Sequence, residues 1–93
     1  MVHIYVLSDP NTGEVRYVGL TRDLRARMRR HRDRPHTKHL RHWFSQLKST
    51  GLEPKMTVVR SVATPQEADE AERQEISTLT TIGARLMNLT PGG

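Results

Sequence analysis

The sequence predicts an α/β fold of the α+β kind: a small three-stranded antiparallel sheet flanked by helices, in the element order β-β-α-α-β-α. Three observations carry this. The N-terminal stretch holds two alternating, β-branched runs separated by a turn cluster. Two helical patterns follow one another without an intervening strand. A third strand-like run then leads into a helix with a full start signal. With 93 residues, 34% hydrophobic and 27% charged, the chain supports one modest core, so a single domain over 1–93 is expected.

Val2 to Ser8 alternates and reads as the first strand, with Val2, Ile4 and Val6 on one face and His3, Tyr5 and Leu7 on the other. Asp9-Pro10-Asn11-Thr12-Gly13 is a turn cluster, and Val15 to Leu20 completes a hairpin. In this second strand Val15, Tyr17 and Gly19 share a face, opposite Arg16, Val18 and Leu20. A register that pairs Tyr5 near Tyr17 sends both phenols out of the sheet on one side. Gly19 on that side leaves room for a close approach to the backbone.

Thr21 is the expected N-cap of a helix running to about His31, anchored by Leu24 and Met28 at i, i+4. Arg27 and His31 have the same spacing on a neighbouring stripe. Asp33-Arg34-Pro35 ends this helix. A second runs from about Thr37 to Ser49 with Leu40, Trp43, Phe44 and Leu47 as its apolar stripe, stopped by Gly51. Met56 to Val62 is the third strand. Thr64-Pro65-Gln66-Glu67 opens the third helix as a capping box with proline at the first helical position. Its buried stripe is Ala68, Ala71, Ile76 and Leu79. Glu72 lies four residues from both Ala68 and Ile76, on or beside that stripe, where an unpaired carboxylate is costly. It calls for a metal, a cation or a cleft. The chain closes on Leu86-Met87-Asn88-Leu89.

The net charge of +5 is unevenly spread. Between Arg22 and Arg34 stand seven arginines and two acids; between Glu67 and Glu75 stand five acids and one base. The first block reads as a polyanion-binding face, and guanidinium dominance favours phosphate, which it meets bidentately. Arg22, Arg25, Arg29, Arg30, Arg34, His36, Lys38 and Arg41 are the expected nucleic-acid contacts. A solvated helix surface is the plainer alternative. Without cysteine there are no disulfides or thiolate zinc sites. With no apolar run of membrane-spanning length, no membrane partner is expected. The expected setting is cytoplasmic: a nucleoid-associated or phage-encoded intracellular protein. His36, His39 and His42 raise a zinc cluster as a minor alternative to solvated or phosphate-contacting histidines.

The motif residues are His3-Ile4-Tyr5, then Tyr17-Val18-Gly19 twelve residues later, Arg27 ten further on, His31 one turn beyond, Glu72 four before Ile76, and Asn88 near the end. In this pattern and in its element order the chain resembles the GIY-YIG nucleases over nearly its whole length. His3 departs from the family's usual glycine; on the face assignment above it either crowds the site or adds a polar contact there. The resemblance implies a metal-dependent endonuclease hydrolysing the phosphodiester bonds of DNA, duplex or branched. It implies Tyr5 and Tyr17 as the two motif tyrosines, Arg27 as the phosphate clamp, Glu72 as the single acidic metal ligand, and Gly19 and Asn88 as supporting residues. His31 would position the water, relay a proton or contact a phosphate.

The chemistry of these roles is consistent. One carboxylate suits Mg²⁺, with Mn²⁺ as a substitute, because Mg²⁺ keeps several waters. A tyrosine base, with a free pKa of about 10, needs positive charge nearby. Tyr5 is the first choice for base and Tyr17 for its support, with the reverse assignment open. Each residue also has a plainer role: tyrosines that pack, Glu72 in a salt bridge to the basic helix, Asn88 in a turn. A chain of this length leaves no room for an appended recognition domain, so specificity is expected from DNA structure, the basic helices, a homodimer or an accessory specificity protein. The alternative function is a non-catalytic DNA- or RNA-binding module that retains the fold.

Overall fold

The computed structural model describes residues 1–35 and 37–88, so His36 lies outside the described residues. The elements are β1 (Val2–Ser8), β2 (Val15–Thr21), α1 (Leu24–Asp33), α2 (Lys38–Ser49), β3 (Lys55–Val62) and α3 (Pro65–Thr81). The three strands form one antiparallel sheet in the order β2-β1-β3. This is the α+β architecture expected.

The central strand decides the layout. β1 is paired on both edges and buried on both faces, so its alternation separates two cores rather than core from solvent. Val2, Ile4 and Val6 pack with Val18, Leu86 and the Ala68 and Ala71 face of α3. Ile76 and Leu79 add partly buried contacts on that side. On the other face Tyr5 and Leu7 meet Met28 of α1 and Leu40, Trp43 and Leu47 of α2. The helices therefore sit on opposite sides of the sheet, α3 on one and the basic pair on the other.

Local chemistry accounts for the boundaries, with some corrections. Thr21 does not cap α1; it is the last residue of β2, and its hydroxyl bonds the backbone of Asp23. Asp23 is the N-cap, its carboxylate accepting from Ala26 N at 3.0 Å. An aspartate at that position also suits the positive helix end better than a threonine. α1 continues to Asp33, two residues past the expected end. Thr37 is the cap of α2 rather than its first residue. At the far end Gly51 adopts φ 75°, and Leu52 N bonds Leu47 O while Gly51 N bonds Lys48 O. This is a Schellman motif, which needs a left-handed residue that glycine supplies without strain. Thr64 caps α3 by accepting from Glu67 N. Only half of the capping box forms, because the Glu67 carboxylate takes the Thr64 hydroxyl instead of the Thr64 backbone N–H.

The register brings Tyr5 near Tyr17 as expected, with one correction to the face assigned to Val15. Tyr5 pairs with Gly19, and Tyr17 pairs with Leu7, so the two tyrosines are diagonal neighbours on one face. A β-bulge leaves Arg16 unpaired between Tyr17 and Val15. The extra residue breaks the alternation, and Val15 packs with Val18 and Leu20 rather than with Tyr17. A second bulge leaves Val59 unpaired in β3. The outer edge of β2 is closed by the C-terminal segment: Met87 N bonds Arg16 O at 2.6 Å. No described helix is long and apolar enough to cross a membrane.

Candidate functional site

The site forms where the hairpin meets α1. β1 holds Tyr5 almost fully buried, and its hydroxyl shares a 2.7 Å hydrogen bond with His31 Nε2. Tyr17 comes from the neighbouring strand with its ring centroid 6.3 Å from that of Tyr5. The His31 ring stands edge-on to both, 6.0 Å from Tyr5 and 5.3 Å from Tyr17. Behind it, Phe44 of α2 stacks at 6.1 Å. Two strands and two helices thus lock one imidazole and two phenols into a packed cluster, with His31 itself only 4% exposed.

Gly19 makes this approach possible. A Cβ built on it would lie 2.5 Å from Tyr5 Cζ and 2.9 Å from Tyr17 Cε2. Both are closer than side-chain atoms tolerate, so both rings occupy the space a side chain would need. Asn88 fixes the same strand from its outer edge. Its Oδ1 accepts from Val18 N at 2.7 Å and its Nδ2 donates to Val18 O. The side-chain amide thereby acts as a peptide group added to β2, between the two residues that carry the site, Tyr17 and Gly19.

Arg27 reaches back across the β2–α1 junction and donates from Nη2 to Leu20 O at 3.2 Å. Together with Tyr17, Arg30, His31 and Arg34 it lines an open cleft of about 480 Å³. Tyr5 does not line it. Glu72, on α3, does not line it either; it is half-buried and without a hydrogen-bond or ion-pair partner among the described residues. Burial, then the nearby Asp69 carboxylate, push its pKa up, while Arg27 and Arg73 pull it down. Both phenols are held above their ordinary pKa, chiefly by burial. For Tyr5 the Tyr17 hydroxyl adds to the rise; for both, Arg27 opposes it and Glu72 adds to it. Tyr5, Tyr17, Arg27 and Glu72 therefore share one electrostatic environment.

The remaining expected residues are distributed less evenly. Arg30 and Arg34 line the cleft. Arg22 is exposed beside the start of α1, and Arg25 and Arg29 project from the other flank of that helix. Lys38 and Arg41 line a separate depression on α2 with His39, His42 and Ser45. Among the described residues no three or more histidine, aspartate or glutamate side chains are gathered to hold a metal. His3 turns its Nδ1 to Ser61 Oγ on β3 at 2.7 Å, a polar contact on the side of β1 away from β2. Trp43 is core, and Arg16 lies over its ring at 5.9 Å.

Two contributors were not anticipated. Phe44 belongs to the apolar stripe of α2, and its contact with His31 depends on how α2 crosses α1. Asp69 stands one turn before Glu72 at i, i+3, a spacing visible in the sequence.

Comparison with protein families matches residues 1–86 to the GIY-YIG catalytic domain. Comparison with curated proteins finds no match, and comparison with solved structures finds none. The family match spans nearly the whole chain and includes the hairpin and the arginine helix, which line the cleft, and the acidic helix, which carries Glu72. The chain belongs to the GIY-YIG family of nuclease-type domains.

Proposed function

We propose that this protein is a metal-dependent DNA endonuclease that hydrolyses a phosphodiester bond held in the cleft between Tyr17 and Arg27. The observation that carries this reading is the convergence of Tyr17, Arg27 and His31 on one open cleft, with Glu72 in the same electrostatic environment.

The family implies a divalent metal, and the residues present fit one. Glu72 is a hard oxygen donor, half-buried and without a partner among the described residues, and its carboxylate is disfavoured as an anion where it stands. A cation beside it would relieve that cost. One carboxylate also matches Mg²⁺, which keeps most of its water, with Mn²⁺ as a substitute. When bound, the metal would polarise the phosphate and stabilise the leaving 3′-oxygen.

The chain's own residues supply the rest. Arg27 is anchored by Leu20 O, so the guanidinium is oriented before substrate arrives. Its remaining N–H groups would grip the scissile phosphate, most strongly as charge builds in the transition state. Tyr17 is the better placed base, because it lines the cleft whereas the Tyr5 hydroxyl is buried against His31. Tyr17 would orient the attacking water and take its proton. Arg27 lowers the phenol's pKa against the effect of burial. The Tyr5–His31 pair acts as a support, fixing the imidazole edge-on to the Tyr17 ring.

The test is a panel of supercoiled plasmid, linear duplex, single-stranded and branched DNA incubated with wild type in Mg²⁺ or Mn²⁺. Cleavage of at least one substrate is expected, and Arg27→Ala should lower its rate by roughly 100- to 1000-fold. Binding without cleavage across the whole panel would instead indicate a non-catalytic DNA- or RNA-binding module.

A further inference from the structure

α1 carries two rows of arginines, and only one faces the cleft. Arg27, Arg30 and Arg34 follow the spacing i, i+3, i+7 and line the site with Tyr17. Arg25, Arg29 and Arg32 follow i, i+4, i+7 and line a different groove of about 400 Å³, floored by Leu24, Met28 and Met56. At about 100° per residue the two rows stand roughly half a turn apart, with the sheet-facing Leu24, Met28 and His31 between them. The second groove is lined by arginines and apolar side chains, and no acid lines it. Arg25 and Arg29 have no ion-pair or side-chain hydrogen-bond partner among the described residues. Arg32 meets Glu53 at 3.2 Å, with both side chains more than half exposed. Such a pair is weak enough to yield to phosphate.

A helix lined with guanidinium groups on one flank follows one phosphate backbone. Guanidinium groups on both flanks match two. With side chains, a helix is about 10–12 Å across, close to the width of a DNA major groove, about 12 Å, whose rims are the phosphates of opposite strands. We propose that the Arg25–Arg29–Arg32 groove is a second sugar–phosphate site, which holds the non-scissile strand of a duplex while Arg27, Arg30 and Arg34 hold the strand to be cut. The apolar floor suits the C–H faces of the sugars, and the arginine rim suits the phosphates. This assignment makes duplex DNA, linear or within a branched structure, the preferred substrate. It rests on the proposed nucleic-acid ligand but not on cleavage.

The experiment measures binding of a duplex and of a single strand of the same sequence, in EDTA, across a salt series. Each lost phosphate contact flattens the plot of log affinity against log salt by about 0.9 on a duplex and about 0.7 on a single strand. The variant Arg25→Gln/Arg29→Gln/Arg32→Gln is expected to flatten the duplex slope by roughly 2 to 3 and the single-strand slope by less than about 1. Arg30→Gln/Arg34→Gln should flatten both. All substitutions are at exposed positions, and Arg25→Gln/Arg29→Gln provides a milder second variant that leaves the Arg32–Glu53 pair in place. An unchanged duplex slope, or equal flattening on the two ligands, overturns the proposal. Because the assay needs no metal and no turnover, a chain that cuts nothing still gives a decisive answer.

Discussion

The two tyrosines are close in sequence and similar in surroundings, yet their hydroxyls are placed for different work. Tyr5 is sealed under α1 with its hydroxyl hydrogen-bonded to His31 Nε2, and Tyr17 opens on the cleft. Tyr17→Phe should therefore lower the single-turnover cleavage rate by about 100-fold or more, as loss of a general base does. Tyr5→Phe should cost less in rate and more in stability. Both phenols are held above their ordinary pKa, so Tyr17 is protonated at neutral pH and only its ionised fraction can accept a proton. Between pH 6 and 9 the wild-type rate should rise about tenfold per pH unit, and this slope should vanish in Tyr17→Phe. A flat wild-type profile would remove the tyrosine from the base role. Gly19 gives the complementary check on packing. A methyl group there meets both rings, so Gly19→Ala should destabilise the fold by about 1–3 kcal/mol, read as a lower denaturation midpoint at an unchanged slope.

Secondary structure was legible in the sequence wherever one local signal decided it. β1 spans the residues its alternation predicts, and the Gly51 stop and the Thr64-Pro65 start stand where their local signals place them. Local signals are ambiguous where two residues compete for one role. Thr21 and Asp23 both suit an N-cap, and the strand claimed Thr21 because it pairs with His3. The bulge at Arg16 left no trace in the alternation, because Val15 can face either core. Asn88 shows the same limit for the site. Nothing local marks it as more than a turn residue, and its function comes from a hydrogen-bonded pairing with Val18, seventy residues away in sequence. Asn88→Ala would leave the Val18 N–H and C=O without that partner next to Tyr17. It should lower stability by about 1–3 kcal/mol and speed amide exchange at Val18, while Asn88→Asp, which keeps the acceptor but not the donor, should recover part of the loss.

The whole molecule is organised around a central strand with a core on each face: the basic helices and the cleft lie on one side, the acidic α3 packs on the other, and Glu72 of α3 still feels the Arg27 charge. Glu72 carries the cost of that arrangement. Its pKa is raised in the folded state, so the unfolded chain loses this proton first as pH rises. The contribution to stability therefore declines from about pH 4.5 up to the raised folded value and stays low above it. In metal-free buffer Glu72→Gln should melt at a higher temperature than wild type at pH 7, with the difference shrinking as pH falls toward 4. Adding Mg²⁺ should raise the melting temperature of wild type and leave that of Glu72→Gln unchanged. A variant that melts lower than wild type at pH 7 would mean that Glu72 is a structural salt-bridge partner rather than a carboxylate held ready for a cation.

That distinction bears on whether the cleft is catalytic. The most direct test is the single-turnover cleavage rate of Glu72→Ala beside wild type, at DNA-saturating protein and in Mg²⁺, with DNA affinity measured in parallel. The expected result is cleavage by wild type, a loss of at least about 1000-fold in Glu72→Ala, and DNA binding retained or tightened by removal of a negative charge. Cleavage by Glu72→Ala at the wild-type rate would contradict the account.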